Sequence, residues 1–256
     1  MNITLQGKVA VITGAASGVG LATTREFLSS DARAVIAVDV KDPPSEDLQR
    51  LSTQYGDRLV YVCGDVGLES TAQSFTRVAG ERFGRIDILF NNAGVGLVGP
   101  IHEHTSEQWD RVMNTNVKSI FWAAKSVIPM MIQQGGGVIL NTGSISGHVG
   151  IAGQGVYGPS KGAVHQMTKQ MAIEYADRGI RVNAIALGTV DTPMLQQAAE
   201  TTDDPARFLE GLKSMHPIGR IATAEEAAKF VTFLASDAAS FCTGAILSLD
   251  GGFIAR

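Results

Sequence analysis

Val9-Ala10-Val11-Ile12-Thr13-Gly14-Ala15-Ala16-Ser17-Gly18-Val19-Gly20 is the stretch from which the fold can be read. A short, nearly continuous apolar run of this kind is the pattern of a strand buried on both faces of a parallel sheet. It leads into three glycines, and a helical segment, Gly18–Ser30, follows. Glycine lets the backbone turn sharply and lets another group come close to it. A helix starting in such a turn offers free N–H groups and the positive end of its dipole, which together suit a pyrophosphate. The spacing is G-x-x-x-G-x-G rather than the commoner G-x-G-x-x-G. A tight strand-to-helix turn needs glycine for structural reasons too, so the loop gains meaning from its surroundings.

The same alternation runs along the chain. Apolar, β-rich runs recur at Ala34–Asp39, Leu59–Gly64, Ile86–Asn91, Val138–Thr142, Ile180–Ala186 and Ala245–Leu249. Helical segments separate them at Ser45–Gln54, Leu68–Phe83, Ser106–Gln133, Val156–Asp177 and Ala224–Ser236. This rhythm predicts a doubly wound α/β sheet of about seven parallel strands, in one domain over residues 1–256. Thr189–Arg220 interrupts it with short helical pieces, Pro193–Glu200 and Asp204–Met215. A long excursion at a strand's C-terminal end predicts an active-site lid, although a packing or subunit-contact segment would read the same way.

Composition narrows the classes. Glycine makes up 29 of 256 residues, where an average chain would carry about 18. Only 8 prolines and no G-X-Y period exclude collagen, and 45% hydrophobic against 18% charged residues argues against disorder. A net charge of −4 gives no electrostatic reason to expect nucleic acid or an anionic membrane as partner. Two cysteines, Cys63 and Cys242, make no disulfide framework and fit a reducing compartment. Met1–Lys8 holds no apolar leader core, and no apolar run reaches the length of a membrane span. The expectation is a soluble cytoplasmic protein. Cys63 lies in a buried-strand pattern, which predicts an inert thiol.

Candidate site residues cluster at predicted strand ends. Asp39 closes the second strand 19 residues after Gly20, where a carboxylate accepts hydrogen bonds from an adenosine ribose and repels a 2′-phosphate. With Ser17 and Val19 neutral, and Lys41 two residues past Asp39, NAD is expected over NADP. Asp65, in Cys63-Gly64-Asp65-Val66, either holds an adenine amino group or caps the next helix. Asn91-Asn92-Ala93-Gly94 either lines the cofactor cleft or makes a turn. Tyr157 and Lys161 share a helix face four residues apart, and Pro159 puts Tyr157 in that helix's first turn. A nearby ammonium lowers a phenol's pKa, so the two suit proton transfer. Ser144 is a hydroxyl just past the fifth strand. Asn116 sits inside a predicted helix, where Asn is a poor former; a kink, an ordered water or a functional role would explain it. Met194 in the excursion is a pocket candidate beside Leu195 and Phe208. His102-Glu103-His104 lacks a third metal ligand and reads as a solvated loop.

Taken in order, T-G-x-x-x-G-x-G (Thr13–Gly20), N-N-A-G (Asn91–Gly94), Asn116, Ser144 and Y-x-x-x-K (Tyr157, Lys161) resemble the short-chain dehydrogenase/reductases of about 250 residues. The resemblance covers nearly the whole chain and implies a Rossmann-type fold and hydride exchange between a nicotinamide cofactor and a substrate carbon. It implies that Tyr157 exchanges a proton with the substrate oxygen and that Ser144, with Ser146 nearby, orients that oxygen. It implies that Lys161 lowers the Tyr157 pKa and holds the nicotinamide ribose, and that Asn116 fixes a relay water. It places Gly14, Ser17, Gly18, Val19, Gly20, Asp39, Asp65, Val66, Asn92, Ala93, Gly94, Gly188, Val190 and Thr192 on the cofactor. It also implies a homotetramer. One departure is Leu187, where relatives usually show proline before Gly188; the loop loses one fixed φ. The expected activity is NAD-dependent interconversion of a small secondary alcohol, polyol or cyclic alcohol with its ketone. The rivals are a 3-oxoacyl thioester reductase, whose usual NADPH and loop base do not fit this chain, and a cofactor-binding regulator without turnover, in which Tyr or Lys would be lost.

Overall fold

A computed structural model describes residues 3–255. Met1 and Asn2, the start of the stretch read for a leader, and Arg256 lie outside the described residues. Seven strands form one parallel sheet: β1 (Val9–Thr13), β2 (Ala34–Asp39), β3 (Leu59–Cys63), β4 (Ile88–Asn91), β5 (Gly137–Thr142), β6 (Ile180–Leu187) and β7 (Ile246–Leu249). Their spatial order is β3-β2-β1-β4-β5-β6-β7, with every neighbouring pair parallel. Chain order reverses between β1 and β4, and ligands of doubly wound sheets bind at that switch point, beyond the strands' C-terminal ends.

The strands were legible because all residues of β1 and nearly all of β2 are buried. Alternate residues serve opposite faces. Val9, Val11, Ile36 and Val38 pack with α3 (Glu69–Phe83), α5 (Ser119–Gln133) and α6 (Tyr157–Tyr175). Ala10, Ile12, Val35 and Ala37 pack with α1 (Gly18–Ser29), α2 (Glu46–Tyr55) and α9 (Ala224–Ala235). A residue slip in any strand would exchange the two faces, so the two cores fix the register.

The expected helix Ser106–Gln133 is three pieces. α4 (Ser106–Met113) passes through a π-helical turn, Asn114–Lys118, before α5 begins. The excursion carries α7 (Pro193–Glu200) and α8 (Pro205–Ser214), each opened by a proline and capped by Thr192 and Asp204 respectively.

Cys63 corrects the expectation of a buried, inert thiol: its side chain is exposed. β3 is one of the sheet's two edge strands, and Cys63 is its last residue. Among the described residues, no helix is long and apolar enough to cross a membrane.

Candidate active site

The glycine-loop end of the cleft is built largely by backbone packing. Gly14 takes a left-handed φ of 65°, and a Cβ added there would lie 2.9 Å from the Ala93 Cα. At Gly20 an added Cβ would meet the Gly14 carbonyl oxygen at 2.1 Å and Asn92 Nδ2 at 2.6 Å. The outer two glycines are thus demanded by the chain's own contact between α1 and the end of β4. Thr13 organises that contact. Its hydroxyl accepts the Asn92 and Ala93 amides at 3.0 and 3.1 Å, and Asn92 Nδ2 donates to the Thr13 and Gly14 carbonyls. Asn92 and Ala93 therefore make a structural clasp, whereas Asn91 is buried and bonds Asn141.

Ser17 stands at the N-cap of α1 yet makes no side-chain cap hydrogen bond. The first-turn amides of that helix, from Gly18 through Gly20, so have no side-chain acceptor, the state that suits an anionic ligand. Asp39 lies under the same loop, accepting the Ala16 and Lys41 amides at 2.9 and 3.2 Å. Asp65 does not cap α3, whose N-cap is Leu68. Its carboxylate instead closes a turn on the Gly67 amide at 2.8 Å and stays exposed. Val66 packs its side chain on the core.

The chemical end is built by side chains. Tyr157 is the first residue of α6 and Lys161 lies one turn on, buried to 3% exposure. The Lys161 ammonium donates to the Thr142 carbonyl at 2.7 Å, 5.6 Å from the Tyr157 ring centre. Gly94 sits against both Lys161 Nζ and Asn116 Oδ1. Asn116 is 1% exposed: Oδ1 accepts the Val95 amide, and Nδ2 donates to the Val95 carbonyl and to Ser160 Oγ. Ser160 in turn donates to the Tyr157 carbonyl at 2.7 Å. The π-turn is the price of pointing this amide inward, and it explains an Asn that helix propensity disfavours. Ser144 is buried, its hydroxyl 3.1 Å from Ser146 Oγ, and Ser146 donates to Gln154 Oε1.

Burial governs the titrations here. It raises the Tyr157 phenol above its ordinary value, with the Ser144 hydrogen bond pulling the other way. It lowers Lys161 to about 8. The field of Lys161 does not win in the protein as it stands. Desolvation of the buried phenol outweighs the ammonium 5.6 Å from its ring centre.

Sequence reading quoted Thr13 only as part of the glycine motif, and missed Ser160, Gln154 and His165 as parts of this site. Only Ser160 carried a local signal, a hydroxyl three residues after Tyr157 in a helix's first turn. His165, 5% exposed, lies under the Ser144 loop and faces the exposed His148 at 4.5 Å between ring centres. Added Cβ atoms at Gly143 and Gly147 would meet its ring at 2.6 and 2.5 Å, so two glycines flanking Ser144 belong to this imidazole. Burial, then His148 and Lys161, lower His165 to about 4. Beside Ser146 opens a cavity of about 470 Å³, walled by Pro100, Ile101, His148, Val149 and Gln154.

Two residues of the excursion lie against the loops that follow β1 and β4. Thr192 packs on Gly18, whose added Cβ would stand 3.2 Å from Thr192 Cγ2, and the Met194 sulfur lies over Gly96. Val190 is buried and bridges to Ala222. Among the described residues no group of three metal-ligating side chains occurs, His102-Glu103-His104 included.

Residues 14–254 match the family profile described as enoyl-(acyl carrier protein) reductase. The chain is 38% identical over 252 residues to 2-(R)-hydroxypropyl-CoM dehydrogenase of Xanthobacter autotrophicus, covering 97% of this chain and 99% of that one. It is 38% identical over 251 residues to 3-oxoacyl-[acyl-carrier-protein] reductase of Thermotoga maritima, covering 98% and 99%. The structure of L-sorbose reductase from Gluconobacter frateurii, complexed with NADPH and L-sorbose, superposes with a TM-score of 0.93 at 32% identity, covering all of both chains.

Proposed function

The chain belongs to the short-chain dehydrogenase/reductase family, and from that premise we propose an NAD-dependent oxidoreductase that interconverts a small secondary alcohol, polyol or cyclic alcohol with its ketone. The observation that carries this reading is the convergence of Ser144, Tyr157, Lys161 and Asn116 at the sheet's C-terminal edge, beside a glycine loop with Asp39 beneath it.

The residues present fit a dinucleotide. The uncapped start of α1 suits its pyrophosphate. Asp39 suits an unphosphorylated adenosine ribose, and the exposed Asp65 suits the adenine beyond it. Lys161 and Gly94 border the other end. A bound oxidised nicotinamide would supply the hydride acceptor and a second positive charge beside the phenol. Ser144 then holds the substrate oxygen by hydrogen bond. Tyr157 takes its proton, or returns it in reduction. Lys161 stabilises the phenolate and loses that power as its own proton leaves near pH 8. Both Asn116 Nδ2 donors are engaged, so a relay water fixed by Asn116 beside Lys161 would donate to Oδ1 or bond the backbone of the π-turn. The excursion 189–220 serves as lid, with Met194 and Ser146 on the substrate.

The test is a panel of secondary alcohols and ketones followed at the NADH absorbance band. Tyr157→Phe should lower turnover by about 10³-fold while cofactor binding stays within about threefold. Full activity in that variant would sink the mechanism. The 3-oxoacyl thioester reductase is the second reading, favoured by the Thermotoga maritima relative. Preference for NADPH with an acetoacetyl thioester would establish it in place of the first. Assembly as a homotetramer is supported by the exposed Trp109, Phe121 and Ile132 on α4 and α5 and Ile173 on α6. Light scattering on the purified chain tests it. The free thiols of Cys63 and Cys242 fit a cytoplasmic location.

A further inference from the structure

Beyond α8 stands a buried imidazole that the mechanism above does not use. His216 is 3% exposed, and both of its ring nitrogens are engaged by backbone. The Thr189 amide donates to Nε2 at 3.3 Å, and Nδ1 lies 2.7 Å from the Asp250 carbonyl. An amide only donates and a carbonyl only accepts, so Nε2 accepts and Nδ1 donates. The Phe253 ring packs against it at 5.5 Å between centres. Gly188 makes room for it, since an added Cβ there would fall 2.8 Å from the His216 Cε1.

These contacts meet at one short segment. Gly188 donates to the Leu249 carbonyl, and the Thr189 carbonyl accepts from Ala222. The Asp191 amide donates to the Ala222 carbonyl, and Thr192, capping α7, packs on Gly18 of the phosphate loop. Leu187 just before it carries no pyrrolidine ring to fix the backbone. The one side chain that holds the Thr189 amide is His216. Without an acceptor, that half-buried amide would turn away from its present position to find one.

We infer that His216 is a positioning residue for cofactor binding: it ties residues 188–192, the roof over the phosphate loop, to the C-terminal turn at Asp250. Ordering this roof in advance spares the ligand the cost of ordering it on binding. The inference rests on the reading that a nicotinamide dinucleotide occupies this cleft.

The experiment uses the full chain with NADH and NADPH as probes, titrated by nicotinamide fluorescence, and compares His216→Phe with His216→Gln. Phenylalanine keeps the ring's bulk and its packing on Phe253 but removes both hydrogen bonds. Glutamine returns an acceptor where Nε2 stands. The expected result is an affinity about tenfold weaker in His216→Phe for whichever cofactor the native chain binds, the factor that one hydrogen bond of about 1.4 kcal/mol supplies. His216→Gln should stay within about threefold of native. Equal affinity in native protein and His216→Phe would overturn the inference and leave the cofactor reading intact, as would equal weakening in both variants. A native chain that binds neither cofactor breaks the reading and the inference with it. If His216→Phe does not fold, hydrogen exchange on the native chain decides. The Thr189 amide should already be protected without cofactor; protection appearing only with cofactor would overturn the inference.

Discussion

The two ends of the cleft are held by different means. At the glycine-loop end, Gly14, Gly20, Asn92 and Ala93 meet at close range, and the fixed points are peptide groups, the Thr13 hydroxyl and the Asn92 side-chain amide. At the chemical end, Ser144, Tyr157, Lys161 and Asn116 are fixed by side-chain networks of buried polar groups. A backbone site tolerates almost no added volume, because a peptide cannot rotate away. A side-chain site tolerates volume better but depends on protonation. The difference teaches where each half is vulnerable: the first to a methyl group, the second to a proton.

The largest effect expected from probing that contrast is Gly20→Ala. Its methyl group would sit 2.1 Å from the Gly14 carbonyl oxygen, so the loop or α1 must move. Overpacking of this kind costs about 2 kcal/mol, which for a chain of this size lowers the melting temperature by about 5 °C. Cofactor affinity should fall with it. A variant that melts like the native chain would show that the phosphate loop is soft, and the contrast would fail.

Asp39→Asn comes next. Asparagine keeps an oxygen for the Ala16 amide and gives up only the exposed bond from the Lys41 amide, so stability should fall little while the repulsion of a 2′-phosphate disappears. The ratio of NADPH to NADH affinity should rise by about tenfold, or about 1.4 kcal/mol. An unchanged ratio would remove Asp39 from cofactor selection.

At the chemical end the lever is His165. Its folded-state pKa of about 4 lies below the ordinary 6.5, so between those values the unfolded chain binds a proton that the folded chain refuses. Stability supplied by the neutral ring is therefore present above about pH 6.5 and lost as pH falls towards 4. Denaturant melts at pH 7 and pH 5 should differ by on the order of 1 kcal/mol more in the native chain than in His165→Leu. Equal slopes would mean that the ring finds a proton acceptor on folding. The smallest effect is the control. Gly150 lies on the same glycine-rich loop but has nothing within 4 Å of an added Cβ, so Gly150→Ala should change stability by less than about 0.5 kcal/mol.

Much of this protein was written locally. β1 and β2 run over the very residues read from the apolar pattern, because strands buried on both faces leave a continuous run that nothing else mimics. The starts of α7 and α9, at Pro193 and Ala224, were equally local. The break at Asn116 was signalled by an ill-suited residue, yet not as a π-turn, since a turn wound by one extra residue leaves no mark in apolar periodicity. The exposure of Cys63 was hidden because sequence does not say which strand is last in the sheet. The glycines around Ser144 were visible as an excess without a reason; two of them answer to a histidine about 20 residues on.

The sequence by itself determined the alternation of strands and helices, the glycine turn and the presence of a serine, a tyrosine and a lysine in a recognisable order. These follow from periodicity and spacing, which act between near neighbours. The tertiary structure decided what those residues touch. Gln154 reaches Ser146, Asn116 reaches Ser160 and His216 reaches Thr189 and Asp250 only because the sheet's crossovers bring segments 8 to 44 residues apart to one edge. No local pattern encodes those meetings, since each partner is an ordinary polar residue until the fold buries it.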